Sequence, residues 1–485
     1  MNFNVETIVF VVYLVFMLGI GVYFFFRAKD GGDKTYFLGG RQMGPWVSAL
    51  SAGASDMSAW VLMGLPASIY AAGIGQAWIA IGLGIGYTIS WLVEAPRLRS
   101  FSIVANDSIT IPQYLTNRFL SKSKLLQIIC AVIFLVAYTV YAASSIKACG
   151  TLFNTVIGMD ATVAMYLAAI IIIGYTFLGG FSAVCWTDFF QGMLMLGALL
   201  IAPIFALALI NGGQAAATMA DLPEGYWNLF TNWKDVVSGL GWGLGYFGMP
   251  HIIVRFMSLE SQKSLKKSAK IGISWTVLIL IFSVASGCIG HLLMGELSDS
   301  STVFIQMVRF MFPALISGIL LSAILAAAMS TADSQLLTAA AGVSQDLLQG
   351  FCGIKMSNKT SMLVARVTVV CIAVVGVFLA WNPASSVFRI VSFAWAGFGA
   401  SFGPLVLFSL FWKRTTKQGA LAGMIAGAAM VFIWKYGIAK LGGLWSIYEL
   451  LPAFIFSSLV IVVVSLLTPA PSQEITDEFE AVGKM

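Results

Sequence analysis

The sequence predicts an all-α membrane protein of about thirteen transmembrane helices arranged around a five-plus-five inverted repeat. Three observations carry that prediction. Of the 485 residues 59% are hydrophobic and only 10% charged, whereas soluble domains carry roughly 25% charged residues. Apolar runs long enough to cross hydrocarbon, on the order of 18 residues or more, recur along the whole length. Two of these runs, the second and the seventh, are interrupted by polar or glycine-rich stretches; lying five apart, they cross the membrane in opposite directions.

Taken in order, the expected spans are 6–26, 43–68, 73–95, 126–147, 162–182, 189–211, 236–254, 271–294, 305–332, 363–381, 388–411, 419–436 and 447–467. The first lacks a basic leader and a small-residue cleavage site, so it reads as a retained helix rather than a secretory signal. Residues 1–42 then form an added N-terminal helix and loop, 43–411 the ten-helix core, 412–468 two further helices and 469–485 a tail. The polar, acidic tail reads as disordered, and 345–361 as a second flexible stretch.

Placing the N-terminus outside leaves all but six of the 27 lysines and arginines on the cytoplasmic side. Those six are Lys147, Lys234, Arg309, Arg389, Lys435 and Lys440, so the positive-inside rule selects this orientation, with the tail inside the cell. In a chain of this kind the net charge of +6 speaks to topology and not to nucleic acid. The six cysteines stand singly in or beside apolar runs, without metal-ligand spacing or obvious pairing, and His251 and His291 are too few for a histidine metal centre.

Polar residues inside these spans mark the candidate chemistry. The second span, GPWVSALSAGASDMSAWVLMGLP, places Asp56 near its middle beside Ser51, Gly53, Ser55 and Ser58. A carboxylate at that depth costs roughly 2.5–3.5 kcal/mol on insertion scales and needs a partner. Small and hydroxylated neighbours tolerate an unwound turn and supply oxygens, as a cation site in a broken helix requires; a carboxylate satisfied by a neighbouring helix is the plainer alternative.

In the seventh span, SGLGWGLGYFGMPH, Gly239, Gly241, Gly243 and Gly245 alternate with larger residues ahead of Pro250, which lines no single helical face and points to an interruption. Trp242 and Tyr246, four apart, are placed to share a face as an aromatic wall; each alone also suits core packing or interfacial anchoring. The ninth span ends in LLSAILAAAMSTADSQLL, where Ser330, Thr331, Asp333 and Ser334 gather oxygens within about a turn. Singly, such hydroxyls bond back to their own helix; as a cluster they suit a hard cation such as Na⁺. Arg41, Glu94, Lys147, Asp188 and Arg255 stand near span ends, where most can snorkel to the interface, and Asp188 is expected in a short link between two spans.

The stretches LGGRQMGPWVSALSAGASDMSAWVLMGLP, WGLGYFGMPHIIVRFM, LLSAILAAAMSTADSQLL and SFAWAGFGASFGPLVLFSLFW resemble the sodium/solute symporter family, its bacterial proline carriers above all, over almost the entire chain. The resemblance implies a LeuT-like fold in a bacterial inner membrane, symport of L-proline with Na⁺, and no cofactor or nucleic acid. It implies further that Na⁺ is held by the backbone oxygens of Ala54 and Met57 together with Ala327, Ser330 and Thr331. Asp56, Ser58, Asp188, Asp333 and Ser334 would couple sodium to transport, and Arg41 matches another sensitive position. Ser58, Trp60, Tyr141, Trp242, Tyr246 and Pro250 would surround the substrate. Ala59 and Asp333 depart from the family's pattern, and Asp333 adds a carboxylate where a second cation would be favoured. A symporter of the same family for a sugar, sialic acid or a carboxylate stays open. An intramembrane hydrolase does not fit, because no nucleophile motif accompanies either histidine. A transport-inactive sensor would carry an added signalling domain.

Overall fold

A computed structural model describes residues 4–27, 33–121, 124–178, 180–214, 222–381 and 386–483. Lys29, Lys122 and Lys484, counted above among the cytoplasmic charges, lie outside these residues. The described residues are helical with short connections, and the isolated parallel bridge Met43–Leu259 is the sole β pairing recorded among them. Among the described residues ten helices are long and apolar enough to cross a membrane. The three further expected spans are the second and seventh, which are interrupted, and the shorter fifth, so long helices among the described residues account for ten of the thirteen.

We label the helices α1 (Val5–Arg27), α2 (Pro45–Asp56), α3 (Gly64–Ala72), α4 (Ile74–Val104), α5 (Leu125–Ile157), α6 (Ala161–Leu178), α7 (Phe181–Asn211) and α8 (Trp233–Trp242). They continue as α9 (Pro250–Ser258), α10 (Gln262–Met294), α11 (Ala314–Phe351), α12 (Asn358–Ala380), α13 (Val387–Phe411), α14 (Lys417–Tyr436), α15 (Leu450–Leu467) and α16 (Gln473–Gly483). The second span is α2 plus α3, broken at Met57 and Ser58, and the seventh is α8 plus α9, joined by a tight 3₁₀ segment Gly243–Gly248 and an extended Met249. Both expected interruptions are present. Shorter helices are cited by residue.

Glycine lets the seventh span approach its neighbours. A Cβ on Gly82 would lie 2.1 Å from the Gly239 carbonyl, and one on Gly243 would lie 2.3 Å from the Gly82 carbonyl. Helices α4 and α8 therefore cross backbone against backbone, as small residues permit in membrane helices. Gly245 faces elsewhere, with room for a Cβ taken by the Trp395 indole at 2.0 Å. The alternating glycines thus serve packing on two sides as well as the interruption.

Several boundaries differ from expectation. Asp188 lies inside α7, which begins at Phe181, and not in a link. Helix α11 runs on to Phe351, so the first part of 345–361 is helical. The tail forms α16, whose Ile475, Phe479 and Val482 are buried. Phe479 sits under the guanidinium groups of Arg97 and Arg118 at 4.7 and 5.2 Å. The acidic composition hid this apolar stripe, spaced four and three apart. Helix α16 marks what we call the basic face, shared with Arg41, Arg97, Arg99 and Arg118.

Candidate functional site

The break in the second span frees carbonyls. In an uninterrupted helix the Ser58 and Val61 amides would serve the carbonyls of Ala54 and Met57. Instead Ser58 N–H donates to the Asp56 carbonyl at 2.8 Å and Val61 N–H to that of Ser58 at 3.0 Å. Met57 N–H still reaches Gly53 at 2.8 Å, closing α2, and the Ser58 hydroxyl caps the next turn by accepting from Trp60 N–H at 3.4 Å. Gly53 is needed because the Trp275 ring would lie 2.6 Å from a Cβ there.

The freed Ala54 carbonyl meets α11. The Ser330 hydroxyl donates to it at 2.8 Å and also approaches the Ala327 carbonyl at 3.2 Å, while the Thr331 hydroxyl lies 3.5 Å from Ala54 O. Ala54, Ala327, Ser330 and Thr331 are thus one buried oxygen cluster, and the same break leaves the Met57 carbonyl without its helical N–H partner. Carbonyls and hydroxyls in this number suit a hard monovalent cation. The Ser330 hydroxyl hydrogen holds two carbonyl oxygens together, a task a cation's charge performs more strongly.

Asp56 turns away from these hydroxyls. The Tyr246 hydroxyl donates to it at 2.5 Å, linking the two interrupted helices directly. Tyr246 packs edge-on against Tyr87 and Trp395, with centroids 5.1 Å away in each case. Trp242 instead stacks on Tyr448 at 4.9 Å and Phe388 at 5.5 Å and lies 6.1 Å from Trp60. Trp242 and Tyr246 therefore do not touch each other, and both pack on Trp395. The segment between them is 3₁₀-wound, which aligns positions three apart and not four, and they meet only through Trp395. Tyr141 is fully buried, edge-on to His251 at 6.4 Å, and its hydroxyl has no hydrogen-bond partner among the described residues. Pro250 opens α9 and lines a separate small cavity nearer the basic face.

Asp188, Asp333 and Ser334 form a second cluster one turn along α11 from Ser330. Asp188 Oδ2 accepts from the Ser51 hydroxyl at 2.6 Å and pairs with Arg255 Nη2 at 3.2 Å. Arg255 Nη2 also donates to Ser334 at 2.5 Å, and the Ser334 hydroxyl reaches Asp333 at 3.3 Å. Arg255, at 1% exposure, does not snorkel, and Glu94 is likewise buried. An arginine inside the apolar stretch HIIVRFM was the signal for its role. The pairing with Asp188 makes its burial affordable in a membrane helix.

Arg41 is mostly buried as well, and holds the basic face together. It donates to Asp107 at 2.9 Å, to the Ser108 carbonyl at 2.7 Å and to the Met257 carbonyl, at the end of α9, at 2.6 Å. Partial burial pushes the Asp107 carboxyl up, but the hydrogen bond from Lys34 and the charge of Arg41 outweigh it and hold the group below the usual carboxylate range. On the opposite face a cavity of about 580 Å³ opens between α3, α5 and α13, lined by Met63, Ser68, Lys147, Asn154, Asp299 and Phe388. Phe388 joins it to the ring cluster by stacking on Trp242.

Two interrupted helices crossing inside a helical membrane bundle, one break turned to buried oxygens and the other to aromatic rings, define a secondary transporter. Comparison with known proteins assigns it. Residues 36–427 match the model of the sodium:solute symporter family, and the chain belongs to that family. It is 44% identical to the high-affinity proline transporter PutP of Bacillus subtilis over 96% of this chain and 98% of that one. It is 41% identical to the sodium/proline symporter of Haemophilus influenzae over 100% and 98%. Its fold is similar to that of a Na⁺-coupled sialic acid symporter in a substrate-bound outward-open state, with a TM-score of 0.79 at 19% identity over 97% and 99% of the two chains. It is a multi-pass membrane transporter and not an enzyme.

Proposed function

We propose that this chain imports L-proline by symport with Na⁺ through alternating access. The observation that carries the reading is the convergence of the freed Ala54 carbonyl with Ser330, Thr331 and Ala327. Identities above 40% to proline carriers over the whole length support the choice of solute. The basic face is then the cytoplasmic one of a bacterial inner membrane, with the N-terminus outside, as the charge distribution favours.

In this mechanism Na⁺ enters from the cavity side and bridges α2 to α11, replacing the Ser330 hydroxyl hydrogen as the link between carbonyls. Asp56 stays on the Tyr246 side of the break, so fixing the break also fixes the link between the two interrupted helices. Trp60, Tyr141, Trp242 and Tyr246 supply apolar surface for a pyrrolidine ring, and Asp56, Ser58 and the Tyr141 hydroxyl the polar groups near it. Asp188, Asp333 and Ser334 lie between the ion and the basic face. Na⁺ drives the cycle because the oxygens meet only when α2 and α11 are together, and a ligand shifts an equilibrium by its differential affinity. One Na⁺ gains about 2.3 kcal/mol at 100 mV and about 1.4 kcal/mol from a tenfold gradient, enough to concentrate an uncharged zwitterion several-hundredfold.

The test is uptake of labelled proline into proteoliposomes under a Na⁺ gradient, against a K⁺ control at equal membrane potential. Na⁺-dependent uptake that unlabelled proline alone competes supports the reading. Na⁺-dependent uptake of another solute overturns the substrate and leaves the ion site standing.

A further inference from the structure

Between the Asp188–Arg255 cluster and the basic face lies a small cavity with a free volume of about 20 Å³, lined by Thr110, Pro250, Arg255, Ser334, Thr338 and Asp346 among others. That is room for one water-sized occupant. Asp346 is fully buried. Its Oδ1 accepts from the Thr110 hydroxyl at 2.9 Å and from Gln127 Nε2 at 3.1 Å, while its Oδ2 has no hydrogen-bond partner among the described residues. Neither the functional reading above nor the family resemblance assigns this carboxylate a task.

Three features single it out. First, its carboxyl has no basic partner among the described residues: the one basic residue on the cavity wall, Arg255, is committed to Ser51, the His251 carbonyl, Ser334 and Asp188. A buried carboxylate oxygen with no donor is costly unless a cation or a proton joins it. Second, Ser330, Ser334 and Thr338 follow one another at one-turn spacing on α11, and the cavity that Ser334 and Thr338 line is the one Asp346 lines. Third, over Gly342–Phe351 the helix widens to π-type winding, a feature frequent at functional sites.

We infer that Asp346 is a transient site for a sodium-sized cation on the cytoplasmic exit route, an inference that rests on the functional reading above. The ion leaves Ala54 and Ser330, passes Ser334 and Thr338, and is received by Asp346 Oδ2 before the basic face opens. Its bonds to Thr110 and Gln127 tie that site to the loop before Ile111–Arg118 and to the start of α5, the elements that must part for release.

The experiment compares wild type, Asp346→Asn and Asp346→Glu in right-side-out membrane vesicles. It measures the external Na⁺ that half-activates proline uptake and the internal Na⁺ that half-inhibits it. In Asp346→Asn the internal constant is expected to rise about tenfold while the external one moves less than twofold, and Asp346→Glu is expected to stay near wild type. The unchanged external constant shows that the variant is folded. An unchanged internal constant, or equal movement of both, overturns the inference. So does a variant in which only the pH dependence of the internal step changes, which would assign the site to a proton. Wild type without Na⁺-dependent proline uptake would instead sink the functional reading.

Discussion

The two interrupted helices are broken in similar places and finished in opposite ways. In the second span the break exposes backbone oxygens to the hydroxyls of α11 and sends its carboxylate across to Tyr246. In the seventh the break is a glycine-rich 3₁₀ segment whose backbone is pressed against α4 and whose side chains are rings packed on other rings. An interruption by itself is only a way to uncouple backbone groups from the ladder. In the proposed function, what the break faces decides its use, oxygens for an ion and apolar rings for a solute.

The largest expected effect tests the first half of that contrast. Ser330→Ala removes the hydroxyl oxygen that would ligate the cation beside the Ala54 and Ala327 carbonyls, and a polar contact to a charged group is worth about 1.5–3 kcal/mol. The Na⁺ concentration for half-maximal uptake should rise by up to about a hundredfold, with proline affinity at saturating Na⁺ little changed. Equal loss of both at saturating Na⁺ would show that the hydroxyl serves the solute too.

Next in size is Gly243→Ala, whose new Cβ would meet the Gly82 carbonyl at 2.3 Å. Forcing α4 and α8 apart is expected to cost about 1–3 kcal/mol, read as a lower midpoint of thermal unfolding with weakened transport. Gly397→Ala, with nothing within 4 Å of the added carbon, is the matched control and should be neutral. A benign Gly243→Ala would mean that the glycines mark flexibility rather than contact.

Tyr246→Phe then asks whether the two breaks act separately. Losing a hydrogen bond to a buried acid costs about 1.5 kcal/mol, so half-saturating proline should rise roughly tenfold. Half-activating Na⁺ should move less than threefold. If both constants shift alike, Asp56 and Tyr246 couple the breaks into one unit.

How much of this was legible follows the same line. Long apolar runs and the two interruptions were readable because hydropathy and glycine spacing are local. The oxygen cluster of Ser330 and Thr331 was readable in part, since hydroxyls ending an apolar run are conspicuous, but that Ala54 faces them is a matter of packing. That Trp242 and Tyr246 both pack on Trp395 was not readable, because the 3₁₀ winding between them and a partner distant in sequence are matters of tertiary packing. Arg255 was grouped with span-end residues able to snorkel because its partner Asp188 lies 67 positions away in sequence. Helix α16 was missed because composition was weighed ahead of periodicity.

The smallest effect concerns the clamp that joins the two spans on the basic face. Arg41 bonds both Asp107 and the Met257 carbonyl, and Met43 N–H reaches the Ser258 carbonyl at 3.2 Å, so the start of α2 is tied to the end of α9. Asp107→Asn removes the charge alone, because Asn also tolerates the positive φ of 48° at this position. The side chain is 46% exposed, so the ion pair is worth at most about 1 kcal/mol and less in high salt. Because the folded-state carboxyl titrates below its ordinary value, near 3.9, the stabilisation is full above that value and is lost as pH falls through the folded one. Wild type should therefore unfold about 1–2 °C above the variant at pH 7, and the gap should close below about pH 4. Both constants for Na⁺ and proline should stay within twofold, because the clamp contacts the ends of the interrupted helices and neither break. A shift in either constant as large as that of Tyr246→Phe would mean that the basic-face ends set the geometry of the breaks, and the contrast between them would then be imposed from outside rather than built into each.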